Sequence, residues 1–121
     1  MEFTNNSILS RGIPLKEFGI NNWAFDREGA LLILRELKAK RIPILGGDIH
    51  EKRGSTIELC LDNWYCDREP NESINSYIDR SILVAHDYIN SYILAVESTT
   101  LFSLTCPTEG EWREGTTQRH R

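Results

Sequence analysis

The sequence predicts an α+β fold: two helices packed on a small antiparallel sheet of about three strands. Two long segments carry apolar residues at helical spacing. Short runs rich in β-branched and apolar residues, cut by glycine, proline and polar turns, lie between and after them. The chain has 121 residues, 40% hydrophobic and 26% charged, the size and balance of one globular domain with one modest core.

Residues 1–22 lack a clear period. Gly12-Ile13-Pro14 and Gly19-Ile20-Asn21-Asn22 punctuate them, and Ile13, Leu15, Phe18 and Ile20 are expected to pack on the domain as an extended arm or short turn. The first helix is expected over Asp26–Lys40. The Asp26 carboxylate suits the N-cap and Glu28 the positive end of the helix dipole. Ala30, Ile33, Leu34 and Leu37 form one apolar stripe, widened by Leu31 and Leu32. Lys38, Lys40 and Arg41 suit the C-terminal end, and Pro43 cannot continue the helix.

Ile42 to His50 reads as the first strand, its two glycines marking a bulge or the close approach of another backbone. Glu51-Lys52-Arg53-Gly54-Ser55 is a polar turn with glycine available for positive φ. Thr56–Asp62 reads as the second strand of a hairpin. Ile57, Leu59 and Leu61 alternate with Thr56, Glu58, Cys60 and Asp62, so the three aliphatic residues are expected on a buried face. Residues 63–70 form a loop, and Asn71 or Ser73 can cap the second helix. Its stripe runs through Ile74, Tyr77, Ile78, Ser81, Ile82, Ala85, Tyr88, Ile89 and Tyr92, with an end between Ser91 and Val96. Leu101–Cys106 reads as a third strand. The domain thus covers residues 1–106, and the polar stretch 107–121, with Trp112 its one large apolar residue, reads as a C-terminal tail.

Composition narrows the function. A net charge of -4 and a pI near 5.4 argue against nucleic acid or an anionic membrane as the partner. The first residues hold no basic stretch followed by an apolar run, and no segment reaches the roughly 18 apolar residues of a membrane span, so the cytoplasm is the expected compartment. Cys60, Cys66 and Cys106 are an odd set with no CxxC pair, read as structural thiols. No cofactor motif is present: Gly46-Gly47-Asp48 lacks the spacing and the Lys of a phosphate loop.

Catalytic readings are thin. Asp48 and His50 share a strand face but lack a third metal ligand at fixed spacing. Cys66 with His86 and Asp67 would make a thiol hydrolase, although His86 falls on the polar side of its helix and nothing around Cys66 resembles a nucleophile motif. A small thiol or metal-dependent hydrolase using Cys66, His50 or His86 is therefore the rival reading, and a generic adaptor module a third.

The stronger signal is charge placement. Between Asp48 and Asp79 lie eight carboxylates (Asp48, Glu51, Glu58, Asp62, Asp67, Glu69, Glu72, Asp79) against three cations (Lys52, Arg53, Arg68). That leaves five negative charges there and one positive charge in the rest of the chain. Trp64 and Tyr65 sit in the middle of this field. Aromatics framed by carboxylates suit an interface anchor with a charged rim, and an acidic field speeds capture of a basic partner. Trp64 in the core with solvating acids around it is the competing reading. The candidate partner-binding set is Asp48, Glu51, Asp62, Trp64, Tyr65, Asp67, Glu69 and Glu72.

The run Arg41-Ile42-Pro43-Ile44-Leu45-Gly46-Gly47-Asp48-Ile49 follows the first helix. Asp62-Asn63-Trp64-Tyr65, Glu72-Ser73, Tyr77-Ile78-Asp79-Arg80-Ser81 and Ala85 come after the hairpin, and Trp23 precedes the helix. Together they resemble the immunity protein 40 family of bacterial polymorphic toxin systems, over roughly Ile13 to Leu104. The resemblance implies a non-catalytic antidote in the cytoplasm that binds a cognate toxin domain. A nuclease is one such toxin, since an acidic antidote can imitate a phosphate backbone. Gly46, Gly47, Trp64 and Tyr65 match the pattern, as scaffold or as interface.

Overall fold

The computed structural model describes residues 8–107; the expected tail beyond Pro107 lies outside them. In chain order the elements are β1 (Ile13–Pro14), a 3-10 turn (Lys16–Phe18), β2 (Trp23–Phe25), α1 (Arg27–Ala39), β3 (Gly46–Arg53), β4 (Thr56–Tyr65), α2 (Ile74–Ser91) and β5 (Thr99–Thr105). Both helices form as the sequence predicts. Asp26 caps α1, its Oδ1 accepting from the Gly29 N–H at 2.8 Å. Ala30, Ile33, Leu34 and Leu37 are buried. Ser73 caps α2, its Oγ accepting from the Ser76 N–H at 3.1 Å, and the helix ends at Ser91.

The sheet has five strands, all antiparallel, in the order β1-β2-β5-β3-β4. This corrects the expected three. The two extra strands come from the N-terminal arm and are only two and three residues long, too short for any alternation to show. The first strand also starts later than expected, at Gly46. The preceding residues 42–45 lead into it without regular secondary structure, and the Ile44 N–H donates to Ser81 Oγ in α2 at 3.0 Å.

Both helices lie on one face of the sheet. Ile49, Trp64, Phe102 and Leu104 point toward them and share the main core with Ile33, Leu34, Leu37, Ile78 and Ile89. The other face is covered at one end by the N-terminal arm, where Leu15, Phe18 and Ile20 pack on Ala24, Ile57 and Leu101. Gly47 is the point of closest approach. It pairs with Trp64 across the strands, and a Cβ there would lie 2.3 Å from the Trp64 ring and 2.4 Å from the Ser103 carbonyl oxygen. The glycine pair in the sequence therefore marks a ring laid over backbone.

β4 is interrupted by a bulge. Asp48 pairs with Asn63 and His50 with Leu59, so Cys60, Leu61 and Asp62 together face Ile49. The expectation that Ile57, Leu59 and Leu61 share a buried face is corrected here. Ile57 is buried under the arm, while Leu59 and Leu61 lie beyond its reach and are exposed.

Candidate partner-binding site

The eight candidate residues fall into three groups. Asp48 and Tyr65 lie on β3 and β4, on the sheet face away from the helices, Asp48 half-buried opposite Asn63 and Ser103. Tyr65 is 57% exposed, whereas Trp64, one residue before it, is 6% exposed. Trp64 stacks on Tyr88 with ring centroids 4.7 Å apart, inside the core. Strand alternation sends the two aromatics to opposite faces.

The second group is the loop after β4. The Glu72 carboxylate takes a forked pair of hydrogen bonds from Arg80, 2.7 Å from Nε and 2.8 Å from Nη2, and another at 2.9 Å from the Glu69 N–H. The Arg80 hydrogen bonds hold Glu72 well below the ordinary carboxylate value, at about 2. Arg80 also donates to the Asp67 carbonyl at 2.7 Å and to Cys66 Sγ at 3.1 Å, and Tyr77 Oη donates to the Cys66 carbonyl at 2.7 Å. One arginine thus fixes the loop from residue 66 to residue 72. Glu69 is exposed and Asp67 half-buried on its outer side.

The third group surrounds the β4 bulge on the helix side of the sheet. Asp62 is exposed and its Oδ2 accepts from Tyr92 Oη at 2.6 Å. Glu51 accepts from Ser98 Oγ at 2.7 Å and from Thr100 Oγ1 at 3.0 Å. Cys60 lies among these acids: burial first, then Glu51, Asp62 and Glu58, push its thiol up, with Arg53 opposing them. Asp62, Tyr88, Ser91, Tyr92 and Ile93 line a shallow depression of about 400 Å³. Tyr92 in turn meets Phe102 edge-on, so an aromatic ladder runs from the core to this depression. Ile93 on its rim is 90% exposed, and Val96, three residues further along the α2–β5 loop, is 99% exposed. Tyr92, Ile93 and Val96 are absent from the sequence-derived set. A run of aliphatics just past a helix end, inside a turn, is the signal that could have marked them.

The catalytic candidates do not converge. Cys66 Sγ faces Arg80, and burial raises its pKa against the pull of that guanidinium, which disfavours the thiolate a nucleophile needs. His50 is buried and its Nε2 lies 2.9 Å from Ser103 Oγ. His86 is exposed on α2, 3.8 Å from Asp87. Among the described residues no three His, Cys, Asp or Glu side chains are grouped to hold a metal. Cys60, Cys66 and Cys106 are free thiols, and no described helix is long and apolar enough to cross a membrane.

The fold defines a two-layer α+β domain, two helices on one face of a five-stranded antiparallel sheet. More particularly, the chain belongs to the immunity protein 40 family, whose model matches residues 14–106, from β1 to the residue after β5. No curated protein and no solved structure matches it.

Proposed function

We propose that this immunity protein neutralises a cognate toxin domain by direct protein–protein binding in the cytoplasm of a bacterium that uses a polymorphic toxin system. It acts without catalysis. The observation that carries this reading is the anchored acidic surface. Glu51 and Asp62 are fixed by hydroxyl donors, and the Asp67–Glu69 loop is fixed through Arg80 and Glu72. Carboxylates already held in place lose little side-chain entropy on binding, and their field speeds capture of a basic partner. A nuclease fits that description, because an enzyme that grips phosphates presents cations.

The test is co-expression and purification with the toxin domain encoded beside this chain's gene, followed by stopped-flow association at two salt concentrations. A tight complex and loss of toxicity are expected. Asp67→Lys with Glu69→Lys should slow association and flatten its salt dependence while the fold stays intact. No complex with wild-type protein, or turnover of esters, peptides or nucleotides that disappears in Cys66→Ala, would overturn the reading.

A further inference from the structure

We propose that the toxin is gripped at the β4 bulge. A basic side chain of the toxin enters the depression between Tyr88, Tyr92 and Asp62, and an apolar patch around that side chain covers Ile93 and Val96. This deepens the reading above and rests on it.

The aliphatic residues come first. Singly exposed aliphatic residues are ordinary, but Ile93 and Val96, 90% and 99% exposed, stand three residues apart on one short loop, and Ile93 lines the depression. Two clasps hold their positions. Tyr92 is tied to the bulge through Asp62, and the other end of the α2–β5 loop is tied to β3 through Ser98, Thr100 and Glu51. The Ala95 N–H also donates to Thr100 Oγ1 at 3.3 Å. The loop presenting Ile93 and Val96 is thus pre-organised for binding.

The charges select the occupant. Glu51, Glu58 and Asp62 gather around Cys60 with Arg53 alone opposing them. A second copy of this chain would bring the same carboxylates against themselves, and an anionic lipid surface would be repelled. A cationic protein surface is attracted. The depression is built for its side chain: Asp62 is exposed with only its Oδ2 given to Tyr92, and the Tyr88 and Tyr92 rings form an aromatic wall. A guanidinium or ammonium there gains both a carboxylate and a cation–π contact.

The probe is the purified toxin domain encoded beside this gene, titrated onto the full chain by calorimetry. Ile93→Ser and Val96→Ser should each raise Kd by at least about tenfold, with melting temperatures unchanged because the side chains are exposed. Asp62→Asn should raise Kd and reduce its salt dependence. Leu32→Ser and Leu83→Ser, exposed on the helical side, should bind like wild type. If wild type binds and the Ile93→Ser and Val96→Ser variants match it, or if only the helical-side variants lose affinity, the bulge is not the grip and the antidote reading stands. If wild type binds nothing, both fall. Sedimentation equilibrium is the second measurement: a dimer of the free chain that Ile93→Ser dissociates would assign this face to self-association and overturn the proposal.

Discussion

Gly47→Ala should be among the most damaging single changes this chain can take, although it adds one methyl group. The new Cβ would lie 2.3 Å from Trp64 Cη2, 2.6 Å from Trp64 Cζ3 and 2.4 Å from the Ser103 carbonyl oxygen. The ring is not a flexible chain end: it is stacked on Tyr88 at 4.7 Å and buried in the core. The carbonyl belongs to β5, the central strand between β2 and β3. Both obstacles must move about 1 Å to reach ordinary contact, and one of them is backbone. Overpacking costs roughly 1–3 kcal/mol, occasionally more, and a clash on two sides belongs at the top of that range. About 3 kcal/mol in a domain of this size lowers the melting temperature by roughly 12–24 °C. The assay is urea and thermal unfolding followed by far-ultraviolet circular dichroism, which does not depend on Trp64 as reporter. Gly47→Ala with Trp64→Leu should not restore wild-type stability, because the carbonyl clash remains. A loss below about 1 kcal/mol for Gly47→Ala would refute the idea that close approach requires this glycine.

Three further outcomes follow from burial and charge. Leu37→Ala should lose about 2–5 kcal/mol in urea unfolding, since Leu37 is fully buried in the main core; a loss under about 0.5 kcal/mol would mean that α1 presents another face. His50 is buried beside Ser103, with Nδ1 lacking a hydrogen-bond partner among the described residues, and burial lowers its pKa from 6.5 against the pull of Asp48. The folded state therefore refuses a proton that the unfolded state accepts, and stability should fall as pH drops below about 6.5; His50→Gln should remove that slope, and an unchanged slope would place it elsewhere. Glu72 is the opposite case. Its pKa drops from 4.5 to about 2, so its contribution is present above 4.5 and lost as pH falls toward 2. The full shift corresponds to about 3 kcal/mol, and screening at Arg80, 34% exposed, reduces it to about 1–2 kcal/mol. Glu72→Gln should lose that amount at pH 7 and flatten the acid limb, measured as urea midpoints between pH 6 and pH 3.

The helices were readable because they are long. Thirteen and eighteen residues give several turns over which an apolar stripe repeats, and Asp26 and Ser73 announce their starts. The edge of the sheet was not. β1 and β2 hold five residues between them, and what makes them strands is pairing with each other and with β5, a partner nearly 80 residues away. β4 was half readable. Its alternation is correct, but which side is buried depends on how far the arm of residues 15–20 reaches, and it reaches Ile57 but not Leu59 or Leu61. Extending the strand past Asp62 by the same alternation sends Trp64 inward and Tyr65 outward. The glycine opposite Trp64 was a second sign that a large ring lies across the strand.

Charge counted along the chain is a one-dimensional quantity, and the fold redistributes it. Two of the eight carboxylates between Asp48 and Asp79 meet cations just outside that stretch. Glu72 is forked to Arg80, and Asp79 pairs with Arg41 at 2.9 Å across the two helices. Arg41 also donates to Asn75, and it takes positive φ where α1 ends, so its ion pair serves the junction between helices. Glu58 stands 3.8 Å from Arg53, a looser pair on exposed side chains that contributes little. Asp62 and Glu51, by contrast, are held by hydroxyl donors, which fix a carboxylate without cancelling its charge. The negative field therefore concentrates toward the bulge of β4 and the outer side of the Asp67–Glu69 loop. Hydroxyl anchoring near Ile93 and arginine anchoring in the loop divide the work physically. The first keeps charge available where a partner would be desolvated, and the second spends charge to hold a loop in shape.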